Sequence, residues 1–316
     1  MTEDKKYRYI FGPVPSRRLG KSLGVDVVPY KTCTLDCVYC QLGSSSDKSV
    51  EIKEYVPYDE VLAELTEKLS NSPAPDYITF SGSGEPTLYS RLGDLIREIK
   101  KLSDAPVAVL TNGTLLSRPE VRERLLEADL VVPSLDAGDS RKFNYVNRPH
   151  PDIDFESVVK GLIEFGREFR NHLWIEVFLL GGVTGLEPEV QKIAQIVEKI
   201  RPEKVQLNTV ARPPAEDYAF SVNEAQLEKL LPVFTCPAEI IADRDRIHNH
   251  SSFKASHDEV LNLISRRPVS AEDISSGLGY HINESIKFIN DLKGRGLIEE
   301  ERRGGQIYYK IAEKHR

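Results

Sequence analysis

The sequence predicts an α/β fold, an open parallel barrel of six β/α units with a small helical domain behind it. Three observations carry this expectation. Short β-rich runs alternate with amphipathic helical stretches through residues 23–242. The composition then turns polar at 250–255 (HSSFKA), which reads as a linker. Three helical patterns and a glycine-centred hairpin signal follow it. Repeated β/α units require a parallel sheet, because each crossover helix returns the chain to the same edge. Six units fall short of the eight that close a TIM barrel, so a partial (β/α)6 TIM-like barrel is expected over residues 1–249.

The elements are justified in chain order. Residues 23–29 (LGVDVVP) read as the first strand. Val61, Leu62, Leu65 and Leu69 then recur at helical spacing. Residues 77–81 (YITFS) form a short β-rich run. Leu92, Leu95, Ile96, Ile99 and Leu102 form a second helical stripe. Strands at 107–111 and 130–135 flank a helix at 119–128. A helix at 155–169 precedes the strand 173–180. Val190, Ile193, Ala194 and Val197 mark the next helix, before the strand 205–210. A helix near 224–231 leads to a last run at 239–242. In the second domain, 250–316, helices are expected at 257–265 and 269–278, the latter capped by Ser270. Ile282, Ile286, Ile289 and Leu292 give a third helix, and two strands around Gly304 and Gly305 form a hairpin. Three helices and a hairpin in so short a segment resemble a winged helix.

Composition bounds the function. The hydrophobic fraction is 40% and the charged fraction 29%, ordinary for a globular chain. No run approaches the ~20 apolar residues that a membrane span requires, and the N-terminus lacks an apolar signal core. The chain is expected in the cytoplasm, with no membrane partner. A formal charge of −7 argues against a general polyanion binder. Lys5, Lys6, Arg8, Arg17, Arg18 and Lys21 nonetheless form a basic N-terminal arm, either solvated or RNA-contacting. Residues 254–316 hold eleven Lys/Arg and ten Asp/Glu, so the second domain lacks the basic excess of a DNA reader.

Of four cysteines, three lie within eight residues: Cys33, Cys37 and Cys40, in the loop after the first strand. Clustered thiols point to metal rather than to a disulfide framework. Thiolates suit an iron–sulfur cluster or zinc. A structural zinc site asks for four protein ligands, and an odd count of three leaves a position for chemistry. Cys236 stands alone and reads as a small buried hydrophobe.

The stretch CTLDCVYC, with Tyr39 before the last cysteine, resembles the signature of the radical S-adenosylmethionine (SAM) superfamily. The resemblance implies a partial barrel and a [4Fe–4S] cluster on Cys33, Cys37 and Cys40. It also implies that the amino and carboxylate groups of SAM chelate the fourth iron. SAM is then cleaved to a 5′-deoxyadenosyl radical that abstracts hydrogen from a substrate. Ser81–Pro86 (SGSGEP) resembles the family's methionine-binding GGEP turn, with Ser83 in place of its first glycine. There Gly82 and Gly84 allow close backbone approach, and Glu85 is expected to accept from the SAM ammonium. Thr111 and Asn112 end the third strand, Ser134 and Asp136 the fourth, and Asn208 the sixth. Together with Tyr39 these are the expected SAM contacts, since strand C-termini face the mouth of such a barrel. The bland reading makes Asn112–Gly113 a turn and Asp136 a helix cap. Glu176, if interior, needs a partner. Arg148, Arg212 and Arg244 are candidate substrate ligands near the same mouth.

A longer stretch, residues 12–43 with VQLNTVARPPAE at 205–216, looks like a branch related to the wybutosine-synthesis tRNA-modifying enzymes. That likeness implies a tRNA substrate and an electron donor such as flavodoxin or ferredoxin. A glycyl-radical-enzyme activase or other protein modifier is the rival within the class. An iron–sulfur-sensing, DNA-binding regulator is the rival outside it.

Overall fold

The computed structural model describes residues 7–44, 48–211, 214–241, 257–278, 282–303 and 306–312. Eight strands form one sheet in strict sequence order: β1 (Ile10–Ser16), β2 (Gly20–Val25), β3 (Tyr77–Phe80), β4 (Val107–Thr111), β5 (Leu130–Pro133), β6 (His172–Leu179), β7 (Lys204–Thr209) and β8 (Ala238–Ile240). β1 pairs antiparallel with β2, and every later neighbour is parallel. The crossovers are α1 (Tyr58–Asn71), α2 (Leu92–Leu102), α3 (Pro119–Leu125), α4 (Ser140–Val146), α5 (Phe155–Glu168), α6 (Glu187–Ile200) and α7 (Glu224–Leu230). This is the α/β partial barrel that the strand count predicts.

Side-chain alternation decides which residues reach the barrel interior. Ile78, Phe80, Val107, Val109, Ile175, Val177, Val205 and Leu207 are buried in the main core with helix residues such as Leu65, Leu95, Leu162 and Ile193. The intervening Thr79, Leu110, Glu176, Phe178 and Asn208 line an interior cavity. Helix starts follow local chemistry. Asp139, Asp154 and Asn223 cap α4, α5 and α7 by accepting from Lys142 N, Ser157 N and Gln226 N.

Sequence reading missed β1 and set the first strand too late. Pro13 and Pro15 argue against a strand, yet β1 lies at the sheet edge, where a missing N–H is tolerated. The β1–β2 turn also overturns the solvated-arm expectation for Arg18. Leu19 packs with Ala108, Leu130 and Val132 inside the barrel. Arg18 Nη1 meets Glu176 Oε2 at 2.8 Å, the side chains 11% and 15% exposed. Arg17 Nη1 donates to Ile241 O at 3.3 Å. Lys5 and Lys6 lie outside the described residues, as do the 250–255 linker, the 249/250 boundary and Gly304–Gly305.

The C-terminal unit holds α8 (His257–Arg266), α9 (Ala271–Leu278), α10 (Ile282–Gly294) and an antiparallel pair, β9 (Ile298–Arg303) with β10 (Gln306–Ile311). Ser270 caps α9 reciprocally: Asp273 N donates to Ser270 Oγ at 3.1 Å, and Ser270 N to Asp273 Oδ2 at 3.0 Å. Its core gathers Val260, Leu263, Ile264, Val269, Ile289 and Leu292, and Val14 of β1 packs against it. The unit is therefore seated on the edge strand of the barrel.

Candidate functional site

A cavity of about 480 Å³ occupies the barrel interior, within the usual range of ligand sites. Cys33, Cys37 and Cys40 all open onto it. Their loop is stitched to distant backbone. Asp36 N donates to Asn147 O at 3.0 Å, Val38 N to Val146 O at 2.9 Å, and His150 N to Thr34 O at 2.9 Å. Two amides address the sulfurs. Asn112 Nδ2 lies 3.5 Å from Cys33 Sγ, and Asn147 Nδ2 3.3 Å from Cys37 Sγ. Burial pushes the Cys33 thiol up to about 12 and raises Cys37 and Cys40 as well. These thiols ionise when a metal takes the proton's place, so metal loading releases protons.

The glycine turn lies against this loop. Lys31 N donates to Ser83 O at 2.6 Å, and Glu85 N to Thr32 O at 2.9 Å. A Cβ on Gly84 would sit 2.1 Å from the Thr32 carbonyl oxygen. Gly82, at φ +141°, would place a Cβ 2.6 Å from Asp26 Cγ. Both positions therefore require glycine. Ser83 donates to Asp26 Oδ2 from its N–H at 3.1 Å and from its hydroxyl at 2.6 Å. That partner accounts for a serine where the resemblance leads one to expect glycine.

Glu85 is 2% exposed. Its Oε1 accepts from Thr87 N at 3.0 Å, Thr87 Oγ1 at 2.6 Å and Thr111 Oγ1 at 2.6 Å, and its Oε2 from Asn112 N at 2.7 Å. Glu85 thus ties the turn to the end of β4. Thr111 shares the phase of Val107 and Val109, on the helix side of the strand, while Leu110 faces the cavity. Asn112 Oδ1 accepts from Thr114 N and Oγ1 at 3.0 and 2.7 Å. Burial raises the Glu85 carboxyl, against the four donors that favour its charge.

Asp136 is buried and accepts from the Tyr39 hydroxyl, from Asn147 Nδ2 at 2.8 Å and from Phe178 N at 3.0 Å. Burial pushes its carboxyl up to about 6. The Tyr39 ring stacks on Phe178, centroids 3.9 Å apart. Ser134, Asn208, Tyr39, Gly82 and Gly84 line the cavity. Glu85, Thr111, Asn112 and Asp136 stand behind its wall as braces. Asn208 Nδ2 donates to Glu176 Oε1 at 2.7 Å, so the interior Glu176 has both an arginine and an amide as partners. Arg148 pairs with Glu216 at 2.6 Å and donates to the Tyr218 hydroxyl at 2.6 Å. Arg212 and Arg244 lie outside the described residues. Cys236 packs against the main core.

Four residues of this site were not singled out by sequence reasoning as part of it: Arg18, Asp26, Asn147 and Arg266. A polar residue at a strand end is a usable hint for Asp26, which directly follows β2. The other three are brought in by tertiary packing alone.

Among the described residues, no group of three or more His, Cys, Asp or Glu side chains gathers closely enough to hold a single metal ion. A cube needs no such gathering, because its thiolates attach to different irons. Three half-buried cysteines on one cavity, two of them facing amide donors, suit that group.

Comparison with known proteins agrees. Residues 27–187, just over half of the chain, match the family described as the radical SAM superfamily. The chain is 32% identical over 95% of its length to the UPF0026 protein MJ1312 of Methanocaldococcus jannaschii, covering 94% of it. It is 40% identical over 97% of its length to a Brachyspira hyodysenteriae protein named GTPase Obg, but spans only 45% of that relative. It is 27% identical to an S-adenosyl-L-methionine-dependent tRNA 4-demethylwyosine synthase of Pyrococcus abyssi, over 54% of each chain. In fold it resembles the structure of TYW1 with a lysine-pyruvate adduct bound, with a TM-score of 0.52, 19% identity, and 67% of this chain and 72% of that one covered. No helix among the described residues is long and apolar enough to cross a membrane. The chain belongs to the radical SAM superfamily, whose enzymes use a [4Fe–4S] cluster and SAM.

Proposed function

We propose that Cys33, Cys37 and Cys40 hold the cluster and that the cavity beside them binds SAM. The observation that carries this reading is a three-cysteine loop and a glycine turn hydrogen-bonded to each other on one cavity wall. When bound, the cluster and SAM together supply an electron and a sulfonium that yield a 5′-deoxyadenosyl radical able to abstract hydrogen. The chain's own residues do the positioning. Asn112 and Asn147 orient the sulfurs. The turn 82–84 lines the cavity where it would meet the methionine end, while Glu85 keeps the turn on β4. Ser134 and Asn208 offer polar contacts deeper in the cavity, and stacked Tyr39 and Phe178 supply an apolar wall. Leu19 fills the lower barrel and limits water there.

For substrate we propose tRNA, with a flavodoxin or ferredoxin as donor. The support is likeness to the Pyrococcus abyssi tRNA-modifying relative. The chemistry is tested by anaerobic reconstitution followed by SAM and dithionite. The expected product is 5′-deoxyadenosine. A brown protein that never forms it supports the sensing regulator instead. The substrate is tested by tRNA binding against salt. Affinity should fall steeply as salt rises, because neutralising phosphates releases their counterions; a salt-independent interaction would favour a protein substrate.

A further inference from the structure

We propose that the C-terminal unit is a working part of the SAM site, with Arg266 as the positioning residue that sets the glycine turn through Asp26. This rests on the reading of the cavity as the SAM site and ties to it a residue 240 positions from Asp26.

The link is continuous. Arg266 Nη1, at the end of α8, donates to Asp26 Oδ2, and the two side chains are 15% and 8% exposed. The same oxygen accepts both donors of Ser83. Gly82 rests on the same carboxylate so closely that a methyl group there would collide with it. The turn is thus seated on Asp26, and Asp26 is held by Arg266. The guanidinium is itself fixed, lying 4.2 Å from the Phe11 ring centroid. That ring fills the space left by Gly24, where a Cβ would meet Phe11 Cζ at 2.0 Å. Leu263, Arg266 and Arg267 line the same cavity as the three cysteines.

The energetics favour positioning over mere attachment. A buried ion pair roughly offsets its own desolvation and is a poor source of stability. Among the described residues, this pair also leaves Asp26 Oδ1 and Arg266 Nε buried without a hydrogen-bond partner. Apolar contacts would attach the unit better, and Val14 already provides one. A pair that adds little to stability, placed where α8 reaches the turn, has a geometric use. It fixes the direction of the Asp26 carboxylate and so the path of residues 82–84.

The experiment uses full-length, anaerobically reconstituted protein, measuring labelled-SAM affinity by equilibrium dialysis and the change in the reduced cluster's EPR signal on SAM addition. Arg266→Gln should weaken SAM about tenfold, as expected for losing a charged hydrogen bond, at unchanged iron and sulfide per chain. Ser83→Ala should do about the same. The double variant should be no worse than the weaker-binding single one, because both cut one link. Arg266→Lys should recover most of the loss. Tyr308→Phe removes a different bond between the two units, Tyr308 Oη to Ala211 O at 3.0 Å, and should leave SAM affinity unchanged. The proposal is overturned if Arg266→Gln binds SAM like the parent, or if the two single losses multiply. A parallel loss of iron would also overturn it, by making Arg266 structural only. Should Arg266→Gln fail to fold, Asp26→Asn, which breaks the same pair from its other side, decides in combination with Ser83→Ala, with multiplying losses again contradicting the link. A parent protein that takes up a cluster but no SAM would sink the reading of the cavity itself, a separate outcome.

Discussion

The two sides of the cavity are held by different forces. At the cysteine loop the donors on the sulfurs and on the carboxylates behind them are neutral, with Asn112 and Asn147 amides on sulfur, Thr87 and Thr111 hydroxyls on Glu85 and Tyr39 on Asp136, although Asp36 of the loop also pairs with Arg148 at 3.5 Å. At the base and along the α8 side the partners are ion pairs, Arg18 with Glu176 and Arg266 with Asp26. A redox group gains and loses a whole charge, and its potential follows net charge and hydrogen bonds to its sulfurs. Neutral donors tune that group by hydrogen bonds at two sulfurs, and Lys31 is the cation whose charge reaches Cys40. Ion pairs, by contrast, pin geometry where the charge does not change.

The contrast is broken most severely at the cysteines. Replacing Cys33, Cys37 or Cys40 by Ala should reduce reconstituted iron to near background, as read by iron assay. Cys236→Ala should leave iron unchanged, because that thiol packs against the core.

At the base of the cavity, Arg18→Met strands a buried carboxylate and should destabilise the protein by about 3–5 kcal/mol in denaturant unfolding. Arg18→Met with Glu176→Met should restore most of that. The pH dependence carries the sign. Burial pushes the Glu176 carboxyl up, but the charge and hydrogen bond of Arg18 and the amide of Asn208 outweigh it and hold it below the ordinary carboxylate value. Its contribution is present above the unfolded value and lost as pH falls through the folded one. The double variant should lack that acid-side loss.

Glu85→Gln sharpens the neutral side, since it turns an –NH2 toward donors that now meet oxygen. A loss of about 1–3 kcal/mol is expected. The Glu85 carboxyl is raised by burial, so stability falls as pH rises from its unfolded value through the folded one. The Glu85→Gln variant should lack that slope in unfolding measured against pH. The smallest effect is expected at Asn147→Ala. Removing an N–H···S donor should lower the cluster potential by tens of millivolts, on the order expected for such bonds, in anaerobic redox titration.

Much of this was legible from residue order. Strand–helix alternation predicts the parallel sheet, and the cysteine spacing marks the loop that the structure opens onto the cavity. Period-two reading also separates Leu110, which faces the cavity, from Thr111, which does not, although strand-end polarity alone groups Thr111 with the cavity contacts. Pairings between remote positions were not legible. Arg18 and Glu176 are 158 positions apart, and Asp26 and Arg266 are 240 apart. Nothing local in a basic N-terminal stretch says that it folds inward. β1 was hidden by prolines that only an edge position allows.

The most direct test of the central claim is Mössbauer spectroscopy of the protein reconstituted with isotopically enriched iron, with and without SAM. Three thiolates on a four-iron cube leave one iron open, so SAM should shift the signal of one iron in four and leave the others unchanged. Four irons indifferent to SAM, or a protein that takes up zinc in place of the cube, would contradict it.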